Sequence, residues 1–141
     1  MATLKISDLS AGDWVRYKGR ECTIDSIYMA PEGHPHEVAF TYQGICYGCA
    51  YIDHLESIPI TAEILEKNGF TRGQRGDFYH YLRLDKNRTL YIHASTNGWR
   101  MEVTYDAAGI LRTTHLMPDI NSVNDLQHAL RLAGVDKEIN L

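Results

Sequence analysis

The sequence predicts an α+β fold: a small curled β-barrel at the N-terminus, then a helix, a four-stranded antiparallel meander and a C-terminal helix. Three observations carry this. Short β-rich runs divided by Gly and Pro fill the first 58 residues. Asn97-Gly98, a strong hairpin signal, sits between two β-rich segments. Val123, Leu126, Leu130 and Ala133 recur at steps of three and four, the spacing of one apolar helix stripe.

The 141 residues, 44 % hydrophobic and 23 % charged, suit one compact folded chain, which weighs against general disorder. No stretch approaches the roughly 20 apolar residues that cross a bilayer, so no membrane partner is expected. The opening MATLKISDLSAGDW has neither a basic start nor an unbroken apolar run, and a cytoplasmic location is the expectation.

Taken in order, Gly12-Asp13-Trp14-Val15-Arg16-Tyr17-Lys18 reads as a strand entered from a turn. Lys18-Gly19-Arg20 reverses it into a second strand, residues 22–28. Pro31, Gly33 and Pro35 mark a loop, Glu37 to Tyr42 is β-rich, and Gln43-Gly44 turns. Residues 45–52 read as a strand pair broken at Gly48. These 58 residues form the predicted barrel subdomain; residues 59–141 form a helix–meander–helix subdomain. Its first helix starts at the N-cap Thr61, with Ile60 and Leu65 as a hydrophobic staple and Gly69 beyond its end. Strands follow at 77–84, 89–94, 99–105 and 110–115, joined by turn-forming linkers. Ser122 with Asp125 approximates a capping box for the last helix, which Gly134 ends. Leu132 lies off its stripe, leaving self-association open.

The net charge of -4 weighs against a protein attracted to nucleic acid over its whole surface. That mean conceals an asymmetry. Residues 70–100 carry six cations, Arg72, Arg75, Arg83, Lys86, Arg88 and Arg100, against Asp77 and Asp85, a local charge of +4. Phe78, Tyr79, Tyr81, Tyr91 and Trp99 are interleaved with them, the pattern of a stacking platform beside a cationic groove. Strand alternation assigns Tyr79, Tyr81 and Arg83 to one face and Phe78, His80, Leu82 and Leu84 to the other. An ordinary solvated sheet face has the same composition. As a site, however, Tyr79, Tyr81, Arg83, Lys86, Arg88, Tyr91 and Arg100 form the strongest candidate in the chain. The partner such a face implies is a protein or a single-stranded nucleic acid.

Cys22, Cys46 and Cys49 with a histidine such as His54 offer an alternative, a zinc-stabilised module, since Cys46-Tyr47-Gly48-Cys49 has the two-ligand spacing. There is no second paired half-site, and small buried thiols are the favoured reading, with no cofactor expected. A redox dithiol would need a helix N-terminus where strand and turn are predicted. His34-Pro35-His36-Glu37 reads as a solvated loop. His80 and His93 fall on adjacent predicted strands, and a small enzyme would have to gather them with acids in one concave site. No phosphate loop, nucleophile elbow or metalloprotease motif is present, so no reaction is specified.

The layout of Leu9-Ser10-Ala11-Gly12-Asp13-Trp14-Val15, followed by Ile58-Pro59-Ile60-Thr61 and a helix ending at Gly69-Phe70, resembles small uncharacterised phage and mobile-element proteins of gut Bacteroidales. Their terminal His-Gln-Leu-Gln mark is matched loosely, by Asp125-Leu126-Gln127-His128. The resemblance implies an accessory protein and transfers no catalytic residue. The Gly-Asp-x-Val hairpin is similar to the entry of SH3-like barrels, so residues 1–58 are expected to be SH3-like, a fold hosting peptide and nucleic-acid binding alike.

Overall fold

The computed structural model describes residues 4–74, 79–96 and 98–141, and at residues 46, 47, 107 and 114–119 the main chain alone. The chain is α+β, with two antiparallel sheets and two α-helices among the described residues. It divides into two compact units, Met1–Pro59 with Ser122–Asn124, and Ile60–Asn121 with Asp125–Leu141.

In the first unit, β1 (Trp14–Tyr17), β2 (Arg20–Tyr28), β3 (Glu37–Tyr42), β4 (Ile45–Tyr51) and β5 (Leu55–Glu56) form one sheet in the order β4-β3-β2-β1-β5. Two-residue turns close the β1–β2 and β3–β4 hairpins. Lys18 and Gly19 have φ of 48° and 77°, and Gln43 and Gly44 have 50° and 77°, the left-handed pair that matches the twist of the flanking strands. Register shifts between Ile24 and Ser26 and between Phe40 and Thr41 add strand bends, and the sheet curls into a half-barrel. The second shift corrects the expected break at Gly48. Phe40 pairs with Gly48 and Thr41 with Cys46, so residues 45–51 stay one strand carrying a bulge. Inside the curl lie Leu9, Val15, Cys22, Ile24, Val38, Phe40, Ala50, Ile52 and Leu55. Asp13 is fully buried at the sheet entry, where its carboxylate accepts the Ser10 N–H at 2.8 Å.

The second unit opens with α1 (Ala62–Lys67), where the Thr61 hydroxyl accepts the Ile64 N–H as its N-cap. Then come β6 (Thr71–Arg72), β7 (Tyr79–Arg83), β8 (Arg88–Ser95), β9 (Gly98–Ala107) and β10 (Ile110–Ile120), in the sheet order β10-β9-β8-β7-β6. The expected four-strand meander thus gains β6, too short to leave a periodic signal. Arg75, Asp77, Phe78 and Asn97 of the sequence reading lie outside the described residues. α2 (Val123–Leu132) begins across the unit division. Val123, Leu126, Ala129 and Leu130 are buried, Ala133 is half-buried, and Leu132 is 71 % exposed. Asp125 accepts the Asn121 N–H at 3.0 Å at the helix start.

The chain end is held by the Asn68 amide and by Lys67 Nζ, which donates to the Leu141 carbonyl. Asn68, 4 % exposed at the end of α1, donates to the Ile64 and Asn140 carbonyls at 2.8 Å each and accepts the Asn140 N–H at 2.7 Å. That docking accompanies the burial of Ile139. Asn68→Ala removes all three bonds and strands buried polar groups, so a loss of about 2–4 kcal/mol is expected, read by urea unfolding. A loss below about 0.5 kcal/mol would show that the Asn68 bonds contribute nothing.

Candidate functional site

The site begins with a turn. Asp85 Oδ1 accepts the N–H groups of Asn87 and Arg88 at 2.8 Å each, and its Oδ2 takes Arg88 Nε at 2.7 Å. The Arg88 guanidinium, with the turn N–H groups, holds the Asp85 carboxyl below the usual carboxylate range. This local closure brings β7 and β8 together with Arg83 opposite Thr89, Tyr81 opposite Tyr91 and Tyr79 opposite His93. β8 then pairs Thr89 with Thr104, Tyr91 with Glu102 and His93 with Arg100.

Alternation on this register sorts the side chains by face. His80, Leu90, Ile92, Met101 and Val103 are buried on one face. On the other stand Tyr79, Tyr81, Arg83, Tyr91 and Arg100, together with Thr89, His93, Glu102 and Thr104. Two of the seven candidates are placed differently. Arg88 is in phase with Leu90 and Ile92, leaves the tyrosine face and is paired with Asp85; Lys86 sits in the turn.

The tyrosines form a ladder. Tyr91 is its centre, with ring centroids 5.5 Å from Tyr79 and 6.3 Å from Tyr81, tilted by 32° and 47°. All three are half-buried. Arg83 stands at one end, its Nε on the Asp85 carbonyl at 3.3 Å and its Nη2 on the Lys86 carbonyl at 3.2 Å. Towards the other end, His93 Nε2 and Glu102 Oε1 are 3.3 Å apart beside exposed Arg100. Gly73 and Gln74 wall an open cleft of about 630 Å³ over Tyr79, Tyr81, Arg83, Thr89 and Tyr91. Gly73 admits the Tyr79 ring, since a Cβ there would fall 2.1 Å from Tyr79 Cδ1. Sequence reasoning missed this wall because Gly73 and Gln74 precede the β-rich run, and no periodicity places them above it. Glu102 and Thr104 were available from alternation with buried Met101 and Val103.

The two histidines lie on opposite faces of the sheet. His80 is in register with Ile92, not with His93, so the concave His80/His93 site of an enzyme does not form. His80 is fully buried, with the Trp99 ring edge-on at 6.0 Å and Glu66 Oε1 3.5 Å from Nε2. Neither ring nitrogen has a hydrogen-bond partner among the described residues. Arg72 takes that Glu66 oxygen at 2.6 Å and, with the nearby imidazole, keeps the Glu66 carboxyl below its ordinary range.

The thiols separate as well. Cys22 belongs to the core of the first unit, its Sγ 3.5 Å from the Arg20 carbonyl, and burial pushes its thiol up, opposite to what a metal thiolate requires. Cys49 and His54 are exposed and line a separate hollow of about 300 Å³, while the Cys46 side chain lies outside the described residues. Among the described residues no three metal-binding side chains converge. The loop histidines differ too: His34 is exposed, whereas His36 Nδ1 accepts the Ala30 N–H at 3.0 Å and so closes the loop. Among the described residues no helix is long and apolar enough to cross a membrane.

No protein-family model, curated protein or solved structure matches this chain.

Two outcomes are expected. His80→Phe replaces a buried imidazole that has no hydrogen-bond partner among the described residues with an apolar ring, so stability should be unchanged or rise by about 1 kcal/mol in thermal unfolding; a loss above about 2 kcal/mol would mean the imidazole is bonded in solution. Asp85 has a lowered folded pKa, so its contribution is present above the ordinary value of 3.8 and is lost as pH falls through the lower folded value. Asp85→Asn, which keeps the turn oxygen but cannot titrate, should show a flatter decline of stability with acid, and an unchanged slope would refute the assignment.

Proposed function

We propose that this protein is a non-enzymatic binding module that holds a macromolecular partner on the outer face of β7–β8–β9. The observation that carries the reading is the Tyr79–Tyr91–Tyr81 ladder, three half-buried rings on a solvent-facing sheet beside the cleft. Tyrosine combines a large rigid contact area with a hydroxyl that tolerates water, which is why aromatic anchors dominate binding surfaces. Arg83 and Arg100 flank the ladder and add charge that selects and orients a partner. An accessory role of this kind agrees with the resemblance to phage and mobile-element proteins. For the first unit we favour an SH3-like barrel; its support is the β1–β2 hairpin entered through Gly12-Asp13 and the curl of the sheet.

The test is capture from a bacterial extract, of protein and nucleic acid together, by the wild type and by Tyr79→Ala combined with Arg83→Glu. Retention of at least one partner should fall about tenfold or more in the double variant, the scale expected when a buried aromatic anchor is lost. Equal capture by both proteins, with circular dichroism unchanged, would sink the reading.

A further inference from the structure

We propose that the partner is single-stranded nucleic acid, with a base stacked in the tyrosine cleft and the backbone following the flanking cations; this rests on the binding-module reading above. Three features of the face favour that ligand. First, the cleft floor is aromatic but its walls are not apolar: the tyrosine hydroxyls, the Gln74 amide, the Thr89 hydroxyl and the Gly73 main chain offer donors and acceptors around a planar group. An open cleft of about 630 Å³ accepts a base whose sugar and phosphate stay in solvent.

Second, charge is complementary to a phosphate chain. Among the described residues neither Lys86 nor Arg100 has a carboxylate partner, while Asp85 is paired with Arg88 and Glu102 lies 3.3 Å from His93 Nε2. Arg83 opposite Thr89 and Arg100 opposite His93 lie four residues apart along β8, about 13 Å at the rise of a strand. Cations at both ends with rings between them suit a strand whose bases turn inward and whose phosphates turn outward. Third, the surface is a sheet face with half-buried rings, and stacking on it requires unpaired bases. A duplex offers only its backbone to such a face.

The carbonyls of Asp85 and Lys86 hold the Arg83 guanidinium, so its plane is set before a ligand arrives. Gly73 does the same for Tyr79 by leaving room for the ring against the main chain. Both are positioning elements, and Gly73→Ala displaces a ring without deleting one.

The experiment is fluorescence anisotropy with one mixed-sequence oligonucleotide, single-stranded as DNA and as RNA and also as a DNA duplex, against the intact protein. The wild type should bind a single strand at least about tenfold tighter than the duplex. Tyr91→Leu should weaken binding by about tenfold or more, the scale of losing one stacked base, while Tyr91→Phe keeps the ring and should stay within about threefold. Arg100→Glu should weaken binding and reduce its salt dependence. Gly73→Ala should weaken binding like Tyr91→Leu if Tyr79 is displaced; circular dichroism checks the fold, and the Leu/Phe pair decides the matter should Gly73→Ala unfold. Absence of wild-type binding at about 100 μM, or equal binding to duplex, overturns the proposal. Should oligonucleotides fail to bind while a captured protein is lost in the Tyr79/Arg83 double variant, the nucleic-acid inference falls and the module reading stands. Oligonucleotide binding indifferent to every face variant overturns the nucleic-acid inference, and equal capture of every partner by the Tyr79/Arg83 double variant overturns the module reading as well.

Discussion

The carboxylate of Asp85, holding two N–H groups and the Arg88 side chain of its own turn, sets how β7 meets β8, and everything proposed for this protein depends on that meeting. Side chains alternate with period two, so a slip of one residue would send Tyr91 inward and expose Ile92. Burial enforces the same answer from the other side, because His80, Ile92 and Met101 share one row across the sheet and are all inaccessible. Local turn chemistry and core formation therefore agree, the consistency that makes a register unique.

The face opposite that core is where the molecule spends its unusual chemistry. Three tyrosines, two arginines and an imidazole–carboxylate pair on neighbouring strands are more than a sheet needs for solubility, for which scattered charges suffice. The rings meet one another instead of the core, so their stacking energy organises the surface itself. His80 shows the cost of the arrangement. It is the one buried side chain among the described residues with unbonded polar atoms, lying on the inner face directly between two outward tyrosines.

Much of this was legible one residue at a time. Lys18-Gly19 and Gln43-Gly44 announce their hairpins because few residue pairs tolerate two successive positive φ angles. Thr61 announces a helix start, and alternation alone separates Tyr79, Tyr81 and Arg83 from His80 and Leu82. What failed to register shares a physical cause: it depends on partners distant in sequence. The β4 bulge exists because Phe40 opposes Gly48 while Thr41 opposes Cys46, and β6 exists because two residues find β7 across a connection. Arg88 looked like a member of the basic face until pairing put it in phase with Leu90.

By itself the sequence determined the α+β class, the Lys18-Gly19 and Gln43-Gly44 turns, the Thr61 cap and a +4 segment with interleaved aromatic residues, since each follows from local conformational preference, periodicity or composition. Only the tertiary structure decided which residues of different strands share a face. It put Tyr91 between Tyr79 and Tyr81, drew Gly73 and Gln74 over them, sent His80 and His93 to opposite sides and buried Cys22 away from exposed Cys49. The reason is that a face is a property of strand register and close approach, and both are set between segments, where the pattern of any one segment carries no information.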